Sequence, residues 1–418
     1  MARIAIARAN LALDSAAPIR SSSVASRAEP IEPSVAGPGA LSFAVLYTLH
    51  SFAQATTMTI IPLEALRLLG NARDVSVLFF VTGWGAFAAR FLIPLLIRRF
   101  KRRRVLSAGA VFVMLAPALI GTGSLGGLVA GSVLRGFGGG CVNINLNLYI
   151  MDYVRKQDLV RVEPLKFGLS ALAWAGGPTI GVLLFEWVHP WAAFGVASAF
   201  AVAELAFFWY LRLTDAPTVA PMKVPPPNPI RFVPRFVRQP RLVLAWALGF
   251  GREFWWDLFL VYTPVYLVVA GTSNEVAAYV VSGGMVTMVA AVGFGWLARR
   301  FGVRPVMAVG FVAVGLLTLG VLVVYDQWVA GAALLVLAAF GITACDSVAN
   351  VTFFRAVRKR ERPEMTMVYS TYGDIAGLVA MGVFAGLLSV FDLWIVFAVT
   401  GVLMFGFAGL TRCLPRGL

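Results

Sequence analysis

The chain has 418 residues, 59% of them hydrophobic and only 13% charged, with a mean hydropathy of +0.82. A soluble protein of this length needs far more polar surface to cover its core, so a water-soluble globular fold is excluded and the surplus apolar surface must face lipid. The formal net charge of +15 would fit a nucleic-acid partner, but the basic residues gather in loops and tails, which removes that reading.

Residues 1–38 are rich in Ala, Ser, Arg and Pro and lack a long apolar core, so they read as a disordered cytoplasmic tail rather than a secretory signal. An organelle transit peptide is the competing reading. Twelve segments of about 20 mostly apolar residues follow, the length a membrane helix needs. Their centres lie near Tyr47, Ala86, Val113, Asn143, Gly176, Ala201, Leu258, Val286, Gly315, Ala338, Leu378 and Val399. The runs are continuous rather than alternating, which predicts α-helices and not a β-barrel. Segment 1 carries His50 and Gln54, four apart and so on one face. Segment 2 ends in PLLIRRFKRRRVL (residues 94–106). Segment 4 holds Arg135 within LRGFGGG, with Asn143 and Asn147 sharing a face beyond it. Segment 5 contains GPTIG, with Gly177, Pro178 and Gly181, and segment 6 a lone acid, Glu204, for which a structural role is expected.

The hydrophobic pattern then breaks. Pro225, Pro226, Pro227, Pro229 and Pro234 predict a semi-extended cytoplasmic linker without regular helix. The expected organisation is a tail over 1–38, a six-helix bundle over 39–212, the linker over 213–240, a second six-helix bundle over 241–413 and a tail over 414–418. Segment 7 has the densest chemistry, GREFWWD at 251–257. Glu253 and Asp257 share a face there, Arg252 can neutralise one of them, and Trp255 and Trp256 can stack on an aromatic or cationic solute. Segment 8 ends in GWLARRFGVRPVM (295–307), segment 10 carries Asp346 and Asn350 four apart, and segment 11 carries Asp374. Cys141 and Cys345 lie within segments and Cys413 near the end, so neither a disulfide framework nor metal-ligand spacing exists. His189 is the only histidine besides His50, so a soft-metal cargo for His50, Met58, Met285 and Met288 finds no ligand set.

Of the 35 Lys and Arg, thirty lie in the N-terminal tail, the even-numbered loops and the C-terminus, whereas the odd-numbered loops hold only Arg67 and Arg73. This bias predicts that both termini are cytoplasmic and that the basic loops touch anionic lipid. Thirty Arg against five Lys points to a bacterium, and so to its inner membrane.

An internal repeat runs through the chain. The phrases at 94–106 and 295–307 lie 201 residues apart and align Leu96 with Leu297, Arg98 with Arg299, Arg99 with Arg300 and Phe100 with Phe301. An offset of 202 pairs Pro62 with Pro264, His50 with Arg252 and Gln54 with Trp256; an offset of 203 pairs Gly138 with Gly341, Asn143 with Asp346 and Asn147 with Asn350. Two parallel six-helix halves related by an axis along the membrane normal produce such a register.

With these motifs in place the chain resembles the major facilitator superfamily from about residue 39 onward. The loop motif of that family (G-x-L-A-D-R-x-G-R-[RK]) is visible in both copies, and the second keeps Gly295, Leu297, Ala298, Arg300 and Gly302. Both copies replace the acidic position with arginine, Arg98 and Arg299, which puts the charge cluster that the family builds there in doubt. LRGFGGG is similar to the Arg-and-Gly motif of the family's fourth helix. GPTIG looks like its antiporter signature, with Ala173 where an upstream glycine is usual.

The resemblance implies a twelve-helix transporter, monomeric and without cofactor, in which helices 1, 4, 7 and 10 line a central path. On those helices the pathway candidates are His50, Gln54, Arg135, Asn143, Asn147, Arg252, Trp255, Trp256, Asp346 and Asn350, because a polar group left in lipid is costly. Glu253, Asp257, Asp346 and Asp374 are the candidate proton carriers. Arg98, Arg99, Gly177, Pro178, Gly181, Gly295, Arg299, Arg300 and Gly302 are the gating and motif positions. The expected function is secondary active transport of a small organic solute, as proton antiport for efflux; proton symport and a non-transporting sensor or assembly factor are the alternatives. No phosphate-binding loop is present for ATP drive, and no clustered catalytic or metal motif indicates an enzyme.

Overall fold

The computed structural model describes residues 40–153, 159–211, 229–358 and 361–415. The tails over 1–38 and 416–418 and the linker residues 213–228 lie outside the described residues. Residues 38–418 form one compact unit. Among the described residues every regular element is a helix.

Each predicted centre falls in a helix. The first segment is split: α1 (Ala40–Ala55) and α2 (Ile60–Leu69) are separated by a turn at 56–59. Gly70 ends α2 with φ 76° and returns its N–H to the Leu66 carbonyl, a left-handed cap that only glycine adopts without strain. Next come α3 (Ala72–Arg99), α4 (Arg102–Ile120), α5 (Leu125–Tyr153), α6 (Leu159–Leu183) and α7 (Pro190–Tyr210). The side chain of Asn71 caps α3 by accepting from the Asp74 N–H.

The second half repeats the order after a short α8 (Pro229–Val237). It comprises α9 (Pro240–Val269), the bent pair α10 (Asn274–Val286) and α11 (Ala291–Phe301), α12 (Val303–Val323), α13 (Trp328–Ala356), α14 (Arg362–Tyr369), α15 (Thr371–Leu387) and α16 (Trp394–Leu410). Among the described residues, seven helices are long and apolar enough to cross a bilayer: α4, α5, α6, α7, α12, α13 and α16; α10 and α11, bent by 47°, make an eighth if counted as one span. Several of the others are short or polar. Thus α1, α2 and α15 have 16, 10 and 17 residues, and α9 carries Arg252, Glu253 and Asp257 inside its length.

The expectation of no regular helix before segment 7 is corrected by α8, which includes Pro234. Its first proline is harmless, because the leading N–H groups of a helix have no intrahelical partner. Tertiary contacts compensate for the bond that Pro234 removes. Phe236 is buried among Val357, Met365 and Tyr369, and Arg235 pairs with Glu361 at 2.6 Å.

The internal repeat is visible in the packing. In the first half α4 crosses α5 at Gly109, where a Cβ would stand 2.9 Å from the Gly138 carbonyl; in the second, α12 crosses α13 at Gly310, where it would stand 2.9 Å from the Gly341 carbonyl. Small residues at both crossings let backbones approach closely, the device that stands in for the hydrophobic effect inside lipid. The halves meet chiefly through two helix pairs that the same pseudo-symmetry exchanges, α3 on α15 and α6 on α10, and α2 also touches α9. Among the described residues, the hydrogen bonds between the halves lie toward one end. Ser76 meets Tyr262 at 2.5 Å, Thr179 meets Ser282 at 2.8 Å, Trp187 donates to Glu275 at 3.3 Å and Asn274 to Glu186 at 2.6 Å.

Candidate functional site

In the first half, α1, α5 and α7 bring His50, Gln54, Arg135 and Glu204 together. The Nδ1 of His50 lies 3.1 Å from the Glu204 carboxylate, with both side chains buried. Among the described residues the other carboxylate oxygen, Oε1, has no hydrogen-bond partner. The Nη2 of Arg135 donates to the Gln54 carbonyl at 2.8 Å. Gly139 makes room for both α1 side chains: a Cβ there would stand 2.6 Å from Gln54 Nε2 and 3.8 Å from His50 Nε2. Further along α5, Asn147 donates to Asn143 at 2.9 Å, and the Tyr47 hydroxyl also donates to Asn143. Lys166 lies over the Tyr47 ring at 4.4 Å. Tyr47 and Lys166 were missed as site residues by the sequence reading; the tyrosine sits three residues before His50 and so on its face, which was the available signal.

The second half builds a network around Arg252, buried in α9. Its Nε lies 2.8 Å from Asp346 on α13, and its Nη2 is 3.3 Å from Glu253. The same Nη2 donates to the Tyr372 hydroxyl, whose ring lies beneath the guanidinium at 5.1 Å. Trp256 donates to the other Asp346 oxygen at 2.8 Å. Tyr369 donates to Asn350 at 3.3 Å. Tyr369 and Tyr372 had no sequence signal, since aromatics are frequent in any apolar helix. Glu253 is 36% exposed and Asp346 21%, so the network is not sealed off by its surroundings. Asp257 takes no part in it. Its carboxylate stands 3.4 Å from where a Cβ on Gly377 of α15 would sit, and among the described residues it has no hydrogen bond or ion pair.

The two adjacent tryptophans, whose rings meet edge to face at 5.3 Å, have different hydrogen-bond partners. Trp255 is fully buried, donates to Thr318 on α12 at 3.0 Å and stacks on Phe259. It belongs to the core of the second half, not to the polar cluster. Asp374 lies in the first turn of α15, next to Gly373, which packs against Glu253.

Of the motif positions, the side chain of Arg98 lies outside the described residues, while Arg99, Arg299 and Arg300 are exposed. Arg300 lies over the Trp296 and Phe301 rings at 5.7 and 5.5 Å. Gly295 has open space where a side chain would stand, and Gly302 has φ 93° in the tight reversal between α11 and α12. In α6, Gly177 and Gly181 press against the end of α1. A Cβ on Gly177 would stand 2.5 Å from the Ala55 Cβ, and one on Gly181 would overlap the Thr56 carbonyl. Pro178 lies between them. Among the described residues no group of three metal-ligating side chains occurs.

The model of the family described as Major Facilitator Superfamily matches residues 43–381. No curated protein matches the chain by sequence. Three solved structures share its fold at low identity. A mutant of the nucleoside transporter NupG has TM-score 0.73 and 12% identity over 90% of this chain and 100% of that one. A POT family transporter in complex with 5-aminolevulinic acid has TM-score 0.72 and 12% identity over 90% and 95%. The peptide transporter POT in complex with sulfate has TM-score 0.69 and 13% identity over 90% and 93%.

Proposed function

Because the chain belongs to the Major Facilitator Superfamily, and is thus a multi-pass membrane transporter rather than an enzyme, we propose that it moves a small organic solute by proton-coupled alternating access. The observation that carries this reading is the set of acids on α9 and α13. Glu253 and Asp346 share one arginine, Asp257 has no described partner, and all three are part-exposed inside the bundle. Carboxylates kept at such depth are costly and mark ion or proton paths. Twelve spans in two six-helix bundles, over 39–212 and 241–413, with both termini in the cytoplasm of a bacterial inner membrane, complete the reading, as does a monomeric state. The positive-inside bias of the loops supports that orientation.

In this arrangement the end at which the hydrogen bonds join the halves faces outward, and the site around Arg252 communicates with the cytoplasm. Alternating access then requires breaking the Thr179–Ser282 and Glu186–Asn274 contacts and forming new ones at the other end. The Gly-Pro run of α6 favours export by antiport; symport is the competing direction.

The test uses purified protein in liposomes with an internal pH dye, challenged with anionic, cationic and neutral solutes beside Glu253→Gln, Asp257→Asn and Asp346→Asn. Solute-dependent proton flux that one of these substitutions abolishes supports coupling and gives its direction. Solute flux without proton movement refutes it.

A further inference from the structure

We propose that the transported solute is a zwitterion whose anionic group meets Arg135 and whose cationic group meets Asp257. The inference rests on the transport reading and narrows its substrate class. The argument is one of charges that the protein leaves over. In the second half, Arg252 is held by Asp346 and Glu253. In the first, His50 is held by Glu204. Arg135 and Asp257 make no ion pair among the described residues. Arg135 donates only to the Gln54 carbonyl, and its Nε is buried with nothing to bond. Asp257 rests against the bare face of Gly377, its two oxygens 3.4 and 3.7 Å from the position of an added Cβ.

The two lie on opposite halves, Arg135 on α5 and Asp257 on α9. Their depth corresponds as well: Arg135 touches Gln54, and the repeat mate of Gln54 is Trp256, the neighbour of Asp257. A solute held between the halves therefore meets a cation on one wall and an anion on the other. A purely anionic solute would satisfy Arg135 and leave Asp257 enclosed and uncompensated; a purely cationic one would do the reverse. With Asp257 ionised, a solute with both charges satisfies both walls at once. Engagement of Asp257 by the solute leaves Glu253 and Asp346 to carry the proton.

The experiment uses the liposome assay with solutes in matched triples. One is phenylalanine, 3-phenylpropanoate and 2-phenylethylamine; another is leucine, 4-methylpentanoate and 3-methylbutylamine. Protein-free liposomes correct for passive leak. The expected result is that zwitterions move at least tenfold faster than either partner of their triple. Arg135→Gln should remove most of the preference for the carboxylate while sparing amines, and Asp257→Asn the preference for the ammonium while sparing carboxylates. Arg135→Lys, which keeps the charge, should restore part of the zwitterion flux and controls for folding. A monopolar solute that matches its zwitterion, or an Arg135→Gln protein that slows all three members equally, would overturn the inference while leaving transport intact. No protein-dependent flux of any solute or proton would overturn the transport reading, and this one with it.

Discussion

The pair His50 and Glu204 offers the sharpest energetic test of the structure. Glu204 is fully buried and His50 is 6% exposed, and one carboxylate oxygen already lacks a partner. Removing the imidazole in His50→Leu strands the carboxylate, and loss of one member of a buried ionic pair costs about 3–5 kcal/mol. Glu204→Gln keeps an oxygen to accept from Nδ1 and removes the charge, so its cost should stay near one neutral hydrogen bond, about 0.5–1.5 kcal/mol. The double change to His50→Leu and Glu204→Leu removes both desolvation penalties, and apolar replacements of buried pairs range from neutral to about 1–4 kcal/mol stabilising. With Glu204→Leu added as the matching single, His50→Leu and the double change complete a double-mutant cycle with wild type, readable by reversible unfolding in mixed micelles. A coupling energy of several kcal/mol is expected. Should His50→Leu unfold within 1 kcal/mol of wild type, roughly the net worth of one neutral hydrogen bond, the pair would be solvated and the reasoning wrong.

Other consequences are open to measurement. Gly177→Val should prevent a stable fold or cost at least ~1–3 kcal/mol through overpacking against Ala55, whereas Gly176→Ala, whose nearest neighbour is Ile180 at 3.6 Å, should melt like wild type. Trp256→Phe deletes a donor to a carboxylate, worth about 1.5–3 kcal/mol, and should weaken solute flux. Trp255→Phe removes only the bond to Thr318 and should lower stability with solute affinity unchanged; equal effects on flux would contradict the separation of the two indoles. Cysteines at Glu186 and Asn274, whose side chains meet at 2.6 Å, should halt transport when joined by a short bifunctional thiol reagent and recover on cleavage. Unimpeded transport in the joined protein would show that this end does not open.

The helices and their family were legible because lipid demands long apolar runs and because the repeat fixes register. The matching Gly109–Gly138 and Gly310–Gly341 crossings show the same duplication in packing. Spacing also placed His50 with Gln54 and Asn143 with Asn147 on shared faces, since four residues nearly complete a turn. Rotational phase between helices was not legible. Trp255 and Trp256 are neighbours in sequence, yet about 100° apart around α9, and only the partners Thr318 and Asp346 tell them apart. Nor could spacing show that Arg252 pairs with Asp346 as well as with Glu253, or that Asp257 makes no ion pair among the described residues. The helix at Pro229–Val237 escaped notice because its proline content argued against it, while Phe236 and Arg235 find their partners more than a hundred residues away.

The glycines of α6 have a mechanical corollary. Gly177 and Gly181 meet the end of α1 backbone to backbone, and such a contact holds no rotamers by which one helix could ratchet past another. The interruption at 56–59 is therefore packed directly against α6, and a movement of either helix there would have to carry the other with it. The opposite face of α6 presents Thr179 to Ser282, a hydroxyl pair that can exchange partners with water. One helix thus has a welded edge and a slipping edge, and shear between the halves is steered to the second.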